Sequence, residues 1–314
     1  AEQAAGLIEI EYELLPAVLD VREAIKAEAP VLNDDVRTDH QPAGESGDEP
    51  TNVAKHFHYE QGDTDGAFDE AALVVEREFT TATVHQGYIE THTATAFWSH
   101  DGQVTVWTST QGAFLIRLQV AELLQVPVSK VKVIPMEIGG GFGGKISVYL
   151  QPVAALLSKK SGRPVKLVMD RSEVFRATGP TSGTNVKVKI GANNQGKITA
   201  AQAEMNYQAG AFAGSSLPLA AITVFTRYDL ENVLVTGYDV TSNRPKVAAY
   251  RAPGAPMIAY GVESVIDEIA EALKIDPVEI RLRNAAKEGT QTHFGPKLGP
   301  IGYIETLEHV RDHP

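Results

Sequence analysis

The chain has 314 residues, 43% of them hydrophobic and 22% charged, a balance typical of a globular protein with one or two domains. The formal net charge of -12 argues against a nucleic-acid surface, which would need a basic stripe. Cysteine is absent from the sequence, which excludes disulfides, thiolate zinc sites and iron–sulfur clusters held by this chain. No apolar run approaches the ~20 residues that span a membrane, so we expect a cytoplasmic protein.

The first fifty residues predict a short, irregular start. Residues 1–5 are typical of the end of a helix, Leu7–Leu14 alternates like a strand, and Val21–Glu28 indicates a short helix. Residues 33–52 are polar and rich in Asp, Pro and Gly, which predicts a linker and a domain boundary. A helical pattern at 303–311 runs almost to the last residue, so we expect an excised fragment of a longer protein.

The rest of the chain mixes hairpins with helices. The predicted strands are Ala72–Phe79, Thr91–Trp98, Val104–Trp107, Val131–Ile134, Val165–Met169, Val186–Ile190 and Ile198–Tyr207. The predicted helices are Phe114–Leu124, Val148–Lys160 and Pro256–Leu273. Because strands and helices do not alternate regularly, the pattern favours an α+β fold with mixed sheets and flanking helices over a βαβ array.

A glycine-rich loop is the most informative motif. Ile138–Lys145 contains five glycines between a strand and a helix, and such bare backbone can offer a row of N–H donors to a phosphate or a pterin. The loop also matches a dinucleotide-binding pattern, but Asp170 lies about 26 residues beyond it, where that pattern expects ~20. Ile146 replaces the hydroxyl residue of a P-loop. A tight turn with no ligand is a further alternative.

Two other groups of residues give weaker evidence of function. His85, Glu90 and His92 are possible metal ligands, but on a strand the two histidines would point to opposite faces. Arg251 lies in a Pro- and Gly-rich loop ahead of a helix. It can donate two hydrogen bonds to an oxo or phosphate oxygen, or it can cap carbonyls of its own loop.

Three motifs in this order resemble the molybdopterin-binding subunit of the xanthine dehydrogenase and aldehyde oxidase family of molybdenum hydroxylases. They are Ser109–Gln111, Gly139–Lys145 and Ala249–Gly254. Glu90–His92 and Leu273–Asn284 are similar to further stretches of the family. The resemblance covers nearly the whole chain, and the order and spacing of the motifs make it more specific than the glycines alone.

The resemblance implies a domain organisation. Residues 1–33 resemble the tail of an α/β hammerhead domain, 34–52 form the linker, and 53–314 resemble the first molybdopterin-binding domain. The second such domain carries the catalytic Glu in this family, and it has no counterpart here. We therefore expect no catalytic residue in this fragment, and we expect the isolated chain to be inactive and free of cofactor.

The resemblance also assigns the cofactor and its contacts. The expected cofactor is molybdenum–molybdopterin, in the cytosine dinucleotide form, and no protein side chain coordinates the metal directly. The enzyme would hydroxylate a carbon of an N-heterocycle or aldehyde, with water as the oxygen source. Its partners would be the second molybdopterin domain, [2Fe–2S] and FAD subunits or domains, and a small-molecule substrate. The expected cofactor-binding residues are Gln111, Gly140, Gly141, Phe142, Gly143 and Arg251.

The substrate pocket implied by the resemblance contains Ile146, Thr181 and Pro253. The xanthine enzymes of the family carry Glu, Arg and Phe at the matching places, so all three purine contacts are absent. Unpaired polar groups in a pocket are costly, and an apolar wall favours an uncharged aromatic or aldehyde substrate over xanthine.

The alternatives make different geometric predictions. The molybdenum-hydroxylase hypothesis places Gln111, Phe142 and Arg251 on one concave face. A NAD-binding dehydrogenase domain would bring Asp170 to the glycine loop and leave Arg251 elsewhere. A non-catalytic packing or interaction module predicts no convergence.

Overall fold

The computed structural model of the protein describes residues 2 to 313, which form two mixed β-sheets with helices packed on them. The strands are β1 (Asp39–Gln41), β2 (Glu45–Ser46), β3 (Val53–Gln61), β4 (Leu73–Thr81), β5 (Thr93–Trp98), β6 (Val104–Ser109), β7 (Val131–Met136), β8 (Val165–Val168), β9 (Thr184–Ala192), β10 (Ile198–Gly210) and β11 (Val233–Thr241). The helices are α1 (Glu2–Ala5), α2 (Val21–Ala24), α3 (Thr64–Asp69), α4 (Ala113–Leu123), α5 (Gln151–Ser161), α6 (Arg171–Ala177), α7 (Leu217–Thr223), α8 (Ala255–Leu273), α9 (Pro277–Asn284) and α10 (Tyr303–Arg311). The α+β prediction is confirmed.

The larger sheet has seven strands in the order β2-β1-β3-β11-β10-β9-β4. Only the pairs β1–β3 and β10–β11 are parallel among its described strands. The long amphipathic helix α8 packs on β4 and β9, and it buries Ile266 and Ile269 against a core that contains Val188 and Ile190. The predicted helix at Pro256–Leu273 is therefore confirmed, because its apolar stripe has a sheet to cover.

The smaller sheet has four strands in the order β7-β6-β5-β8 and forms a second core with α4 and α5. Ile116 and Val120 of α4 are buried with Val104 and Val106 of β6. Strands β6 and β7 are parallel neighbours, so their carboxyl ends lie side by side. The Gln111 motif and the glycine loop both begin at these strand ends.

The topology contradicts the dinucleotide-binding alternative. The chain leaves β7 through the glycine loop and α5 and enters β8, but β7 and β8 lie at opposite edges of the sheet with two strands between them. Asp170 does not reach the glycine loop either. Its carboxylate caps α6 by accepting a hydrogen bond from the Glu173 N–H at 2.7 Å, within a reciprocal capping box.

The N-terminal region differs most from the sequence-based prediction. The predicted strand at Leu7–Leu14 is wrong: within the described chain, residues 8–20 pair with no strand, and Leu7 and Leu14 are exposed. Alternation of apolar residues indicates a strand only where a neighbouring edge is available for pairing. The predicted linker contains β1 and β2, which join the larger sheet, while the domain boundary itself stays a prediction. No helix within residues 2–313 is long and apolar enough to cross a membrane.

Candidate functional site

The two parallel strands of the smaller sheet deliver the two motifs to the same place. Ser109 and Met136 are paired at the ends of β6 and β7, so the residues that follow them continue side by side. The Thr110 hydroxyl and the Gln111 N–H both donate to the Lys145 carbonyl, each at 3.0 Å. The end of the glycine loop is thereby attached to the segment that follows β6.

The side-chain amide of Gln111 is oriented by the glycine loop. Its Oε1 accepts hydrogen bonds from the N–H groups of Gly143 at 2.8 Å and Lys145 at 3.3 Å. Because both contacts are donors, the oxygen faces the loop and the Nε2 group faces away from it. Within residues 2–313 no acceptor contacts that Nε2, and Gln111 is exposed, so it has an N–H to offer to a ligand.

The glycine loop adopts conformations that few other residues tolerate. Gly140, Phe142 and Gly143 have φ values of 90°, 51° and 104°. A Cβ on Gly143 would also lie 2.6 Å from the carbonyl oxygen of Ala249. The expectation of left-handed backbone in this loop is confirmed, and the glycines also serve close packing within the protein.

The segment around Arg251 contacts the same loop from another side. The Arg251 N–H donates to the Phe142 carbonyl at 2.9 Å, and the φ values of Arg251 and Ala252 are 26° and 57°. Left-handed conformations of non-glycine residues store strain and concentrate at functional sites. The segments that carry Gln111, Phe142 and Arg251 therefore contact one another through hydrogen bonds, while a concave face shared by the three side chains stays a prediction.

Several hydrogen-bond donors remain free where these segments meet. In the part of the chain that the structure describes, the N–H groups of Gly140, Gly141 and Phe142 have no hydrogen-bond partner, and neither does the exposed guanidinium of Arg251. Residues 2–313 contain no group of three or more side chains that could hold a metal ion. A donor set without ligating side chains fits a cofactor that brings oxygen-rich groups and its own ligands to the metal.

A partly buried ion pair contacts the glycine loop. The Lys145 side chain is fully buried, and its Nζ lies 2.7 Å from Glu90 Oε2 and 4.9 Å from the centre of the Tyr88 ring. Glu90 Oε2 also accepts from the Gly139 N–H at 2.7 Å. Burial opposes ionisation of Glu90, but the contacts with Lys145 and Gly139 prevail and hold its pKa below the ordinary value. Glu90 is therefore a structural anion at this site.

A cluster of polar aromatic residues lies behind this pair. The Tyr88 hydroxyl is 2.6 Å from His92 Nε2 and 3.4 Å from His85 Nε2. The prediction that the two histidines face opposite ways is wrong, because residues 82–92 are not a strand. Burial and the nearby charge of Lys145 lower the pKa of His92 to about 4, so His92 is neutral at pH 7 and its Nε2 shares a hydrogen bond with the Tyr88 hydroxyl.

Gln86 ties three segments together beneath the loop. Its Nε2 donates to the carbonyls of Gly179 at 3.0 Å and Ala249 at 2.9 Å. A Cβ on Gly144 would lie 2.9 Å from the Gln86 Cδ, so this amide also fills the space under the glycine loop. Gln86 is 6% exposed, and it fixes the Arg251 segment relative to the loop.

The three predicted substrate-pocket residues occupy different depths. Ile146 lies next to the Gln111 segment, because its Cγ2 would be 3.8 Å from a Cβ on Gly112. Pro253 is partly exposed in the strained turn before α8. Thr181 is buried, and its N–H donates to the Val84 carbonyl at 2.9 Å. Their role in a pocket stays a prediction.

The supporting residues Gln86, Tyr88 and Lys145 were not predicted from the sequence. Lys145 carried a signal that was available: a lysine inside a bare glycine loop needs a nearby carboxylate if the loop is buried. Gln86 carried none, since nothing local indicates that its amide reaches carbonyls 93 and 163 residues away.

Comparisons with known proteins identify the family of the chain. The sequence model of the molybdopterin cofactor-binding domain matches residues 46–285. The chain is 32% identical over 315 residues to the nicotinate dehydrogenase large molybdopterin subunit of Eubacterium barkeri, and the match covers 99% of this chain and 71% of that subunit. It is 33% identical over 316 residues to the putative xanthine dehydrogenase molybdenum-binding subunit of Escherichia coli K12, covering 99% of this chain and 40% of that one.

Among solved structures, quinoline 2-oxidoreductase from Pseudomonas putida 86 is similar with a TM-score of 0.89 and 26% identity. That match covers 99% of this chain and 39% of the solved chain. Fold and site together define a molybdopterin cofactor-binding domain. The chain belongs to the molybdenum hydroxylase family of oxidoreductases, and it spans two-fifths of the length of two of these three relatives.

Proposed function

We propose that this chain supplies one side of the cofactor site of a molybdenum hydroxylase. The observation that carries the proposal is the convergence of unpaired donors from the glycine loop, Gln111 and Arg251. The residues that would hold the molybdopterin are Gln111, Gly140, Gly141, Phe142, Gly143 and Arg251. The bound group would supply the oxygen transfer and accept two electrons, and these residues would orient it and carry hydrogen bonds to its oxygens.

The substrate is proposed to be an N-heterocycle or an aldehyde, hydroxylated at carbon with oxygen from water. Relatives named for nicotinate and quinoline support a heterocycle. Ile146 and Pro253 would give the pocket an apolar wall, which accepts an uncharged ring more readily than a polar purine. The half-exposed Phe142 would add an aromatic surface beside the cofactor.

The general base is proposed to come from outside residues 2–313. Glu90 is the carboxylate that contacts the glycine loop, and its ion pair with Lys145 makes it a weaker base than an ordinary Glu. A second molybdopterin domain, in the same enzyme, would supply the base and close the cofactor cleft. Iron–sulfur and FAD subunits or domains would carry the electrons away, and the cofactor is proposed to be the cytosine dinucleotide form.

Metal content and activity of the complete enzyme test this proposal. We expect molybdenum near one per copy of this chain, and we expect Gln111→Leu and Arg251→Gln to lower the molybdenum content several-fold while the circular dichroism spectrum stays unchanged. Arg163→Gln changes an equally exposed arginine outside the site and serves as the control. Full molybdenum content in both site variants would refute the assignment. Turnover of xanthine at the rate of quinoline would refute the apolar pocket wall.

A further inference from the structure

A cavity elsewhere in the molecule contains none of the proposed cofactor-binding residues in its lining, and the inference drawn from it does not rest on the proposed function. It has a volume of about 470 Å³ and opens between residues 19–22 and the carboxyl end of β4. The start of β9, the end of β10 and Arg244 form the rest of its wall. Its volume is in the range of small-molecule sites, and its lining is mixed polar and apolar.

A buried, unpaired donor lines this cavity. Gln208 is 3% exposed, its backbone N–H donates to the Gly183 carbonyl at 2.9 Å, and its Oε1 accepts from the Thr83 hydroxyl at 3.3 Å. The Gln208 Nε2 group is buried and has no partner in the part of the chain that the structure describes. A buried amide donor without a hydrogen bond is energetically unfavourable. A ligand in the cavity that carried an acceptor would remove this cost.

A cation lines the same cavity with most of its donors free. The Nε of Arg244 donates to the Leu19 carbonyl at 2.8 Å, and its two terminal nitrogens have no acceptor within residues 2–313. Arg22 contributes no free charge, because its Nε and Nη2 bind the Asp20 carboxylate at 3.1 and 2.8 Å. The lining therefore carries one uncompensated positive charge beside the unpaired amide of Gln208.

The charge of the surroundings limits the ligand further. Glu78 lies just outside the lining and accepts from Asn185 Nδ2 at 2.6 Å, so a second anionic group stands near the cavity in addition to Asp20. A doubly charged phosphate would meet the Glu78 carboxylate with only Arg244 to compensate it, because Arg22 already neutralises Asp20. A single carboxylate needs fewer cations, and its two oxygens match the amide of Gln208 and the planar fork of Arg244.

We propose that this cavity is a binding site for a small monocarboxylate with an apolar body. The carboxylate would accept hydrogen bonds from Gln208 and Arg244. The body would lie against Leu19, Val21 and Ala82, the apolar part of the lining.

Benzoate is a suitable probe, with calorimetric titration of the purified protein as the measurement. We expect saturable binding that weakens about tenfold or more in Arg244→Gln and in Gln208→Met, because each removes a donor to the carboxylate. Arg163→Gln, an exposed arginine elsewhere, should leave the affinity unchanged. The thermal midpoint of each variant without ligand checks that it folds, and the ¹⁵N signal of the Gln208 side chain in the parent protein should shift on adding benzoate.

Two further probes separate the alternatives. Benzamide has the same shape without the charge, and inorganic phosphate has more charge without the apolar body. Binding of benzoate in preference to both supports the proposal. Equal binding of benzamide, tighter binding of phosphate, an affinity unaffected by both variants, or no saturable binding would each overturn it. In the last case water alone satisfies the Gln208 amide.

Discussion

Residues at the site have two roles. Some offer hydrogen bonds to a ligand, and others hold those donors in position. Gln111 does both, because its oxygen is bound by the loop and its nitrogen is left free. Lys145, Glu90 and His92 belong to the second group and are buried or half-buried. Their energetic effects can be measured without any cofactor.

His92 makes stability depend on pH in a defined window. Its folded pKa of about 4 lies below the value of about 6.5 in an unfolded chain, so protonation favours unfolding. This stabilisation is complete above pH 6.5 and is lost as the pH falls toward 4, by about 2 to 3 kcal/mol. Burial and the charge of Arg171 lower the pKa of His85 too, so that residue adds to the same slope.

Urea unfolding between pH 7 and pH 4 measures this effect. The free energy of unfolding of His92→Gln should depend less steeply on pH than that of the parent protein. His100→Gln changes an exposed histidine and should leave the slope as it is. Identical slopes in all three proteins would contradict the neutral, buried state of His92.

We expect the Lys145–Glu90 ion pair to stabilise the protein far more than an exposed ion pair with the same N–O distance. Lys145→Ala leaves the Glu90 carboxylate without its buried cation, and we expect a loss of about 3 kcal/mol in urea unfolding. The Lys26–Glu23 pair has the same 2.7 Å separation but lies on the surface, so Lys26→Ala should leave the unfolding midpoint unchanged. Equal effects of the two substitutions would contradict the importance of burial.

At the scale of elements, the site depends on three loops joined by hydrogen bonds, each of which involves at least one backbone atom. The loop after β7 contacts the segment after β6 through Gln111 and the segment before α8 through Phe142 and Arg251. Such contacts tolerate no added side-chain volume. Substitution of the glycines by alanine therefore tests the geometry of the site.

Two glycines with positive φ provide a matched pair for this test. Gly143→Ala places a Cβ 2.6 Å from the Ala249 carbonyl oxygen, whereas Gly102→Ala, at φ 80°, meets nothing within 4 Å. Both pay for a left-handed alanine, about 1 kcal/mol, but the first also displaces the Arg251 segment. We expect Gly143→Ala to lower molybdenum content in the complete enzyme and Gly102→Ala to retain it. Retention in both would separate the loop from cofactor binding.

For the whole molecule, two hydrophobic cores form on two sheets, and two small clusters lie beside them. One small cluster contains Val18, Val21, Ala24 and Val240, and the other contains Tyr88, Met169 and Val174. Tyr88 is 1% exposed and contacts both Lys145 of the glycine loop and Thr178, the residue that follows α6. We expect Tyr88→Ala to speed amide hydrogen exchange in β5 to β8 while β9 and β10 keep their protection. Uniform acceleration in both sheets would show that they unfold as one unit.

The sequence predicted the elements that have strong local signals. The hairpin of β5 and β6, helices α4 and α8 and strands β9 and β10 all lie close to their predicted positions. Strands β3 and β11 were missed, since their identity depends on pairing with each other across about 180 residues. At the site, motif order identified Gln111 and Arg251, while the support from Gln86 depends on contacts that only the tertiary structure creates.

The close packing under the glycine loop has a consequence for cofactor delivery. Side chains and carbonyls of the protein itself, from Glu90, Gln111 and Ala249, already occupy the space beneath Gly139, Gly141 and Gly143. The loop therefore needs no ligand to take its shape, and little conformational entropy is left to lose when a large molecule arrives. A loop that already has its bound shape selects a cofactor by shape complementarity. We therefore expect it to bind the fully assembled cofactor and not to fold around an incomplete precursor.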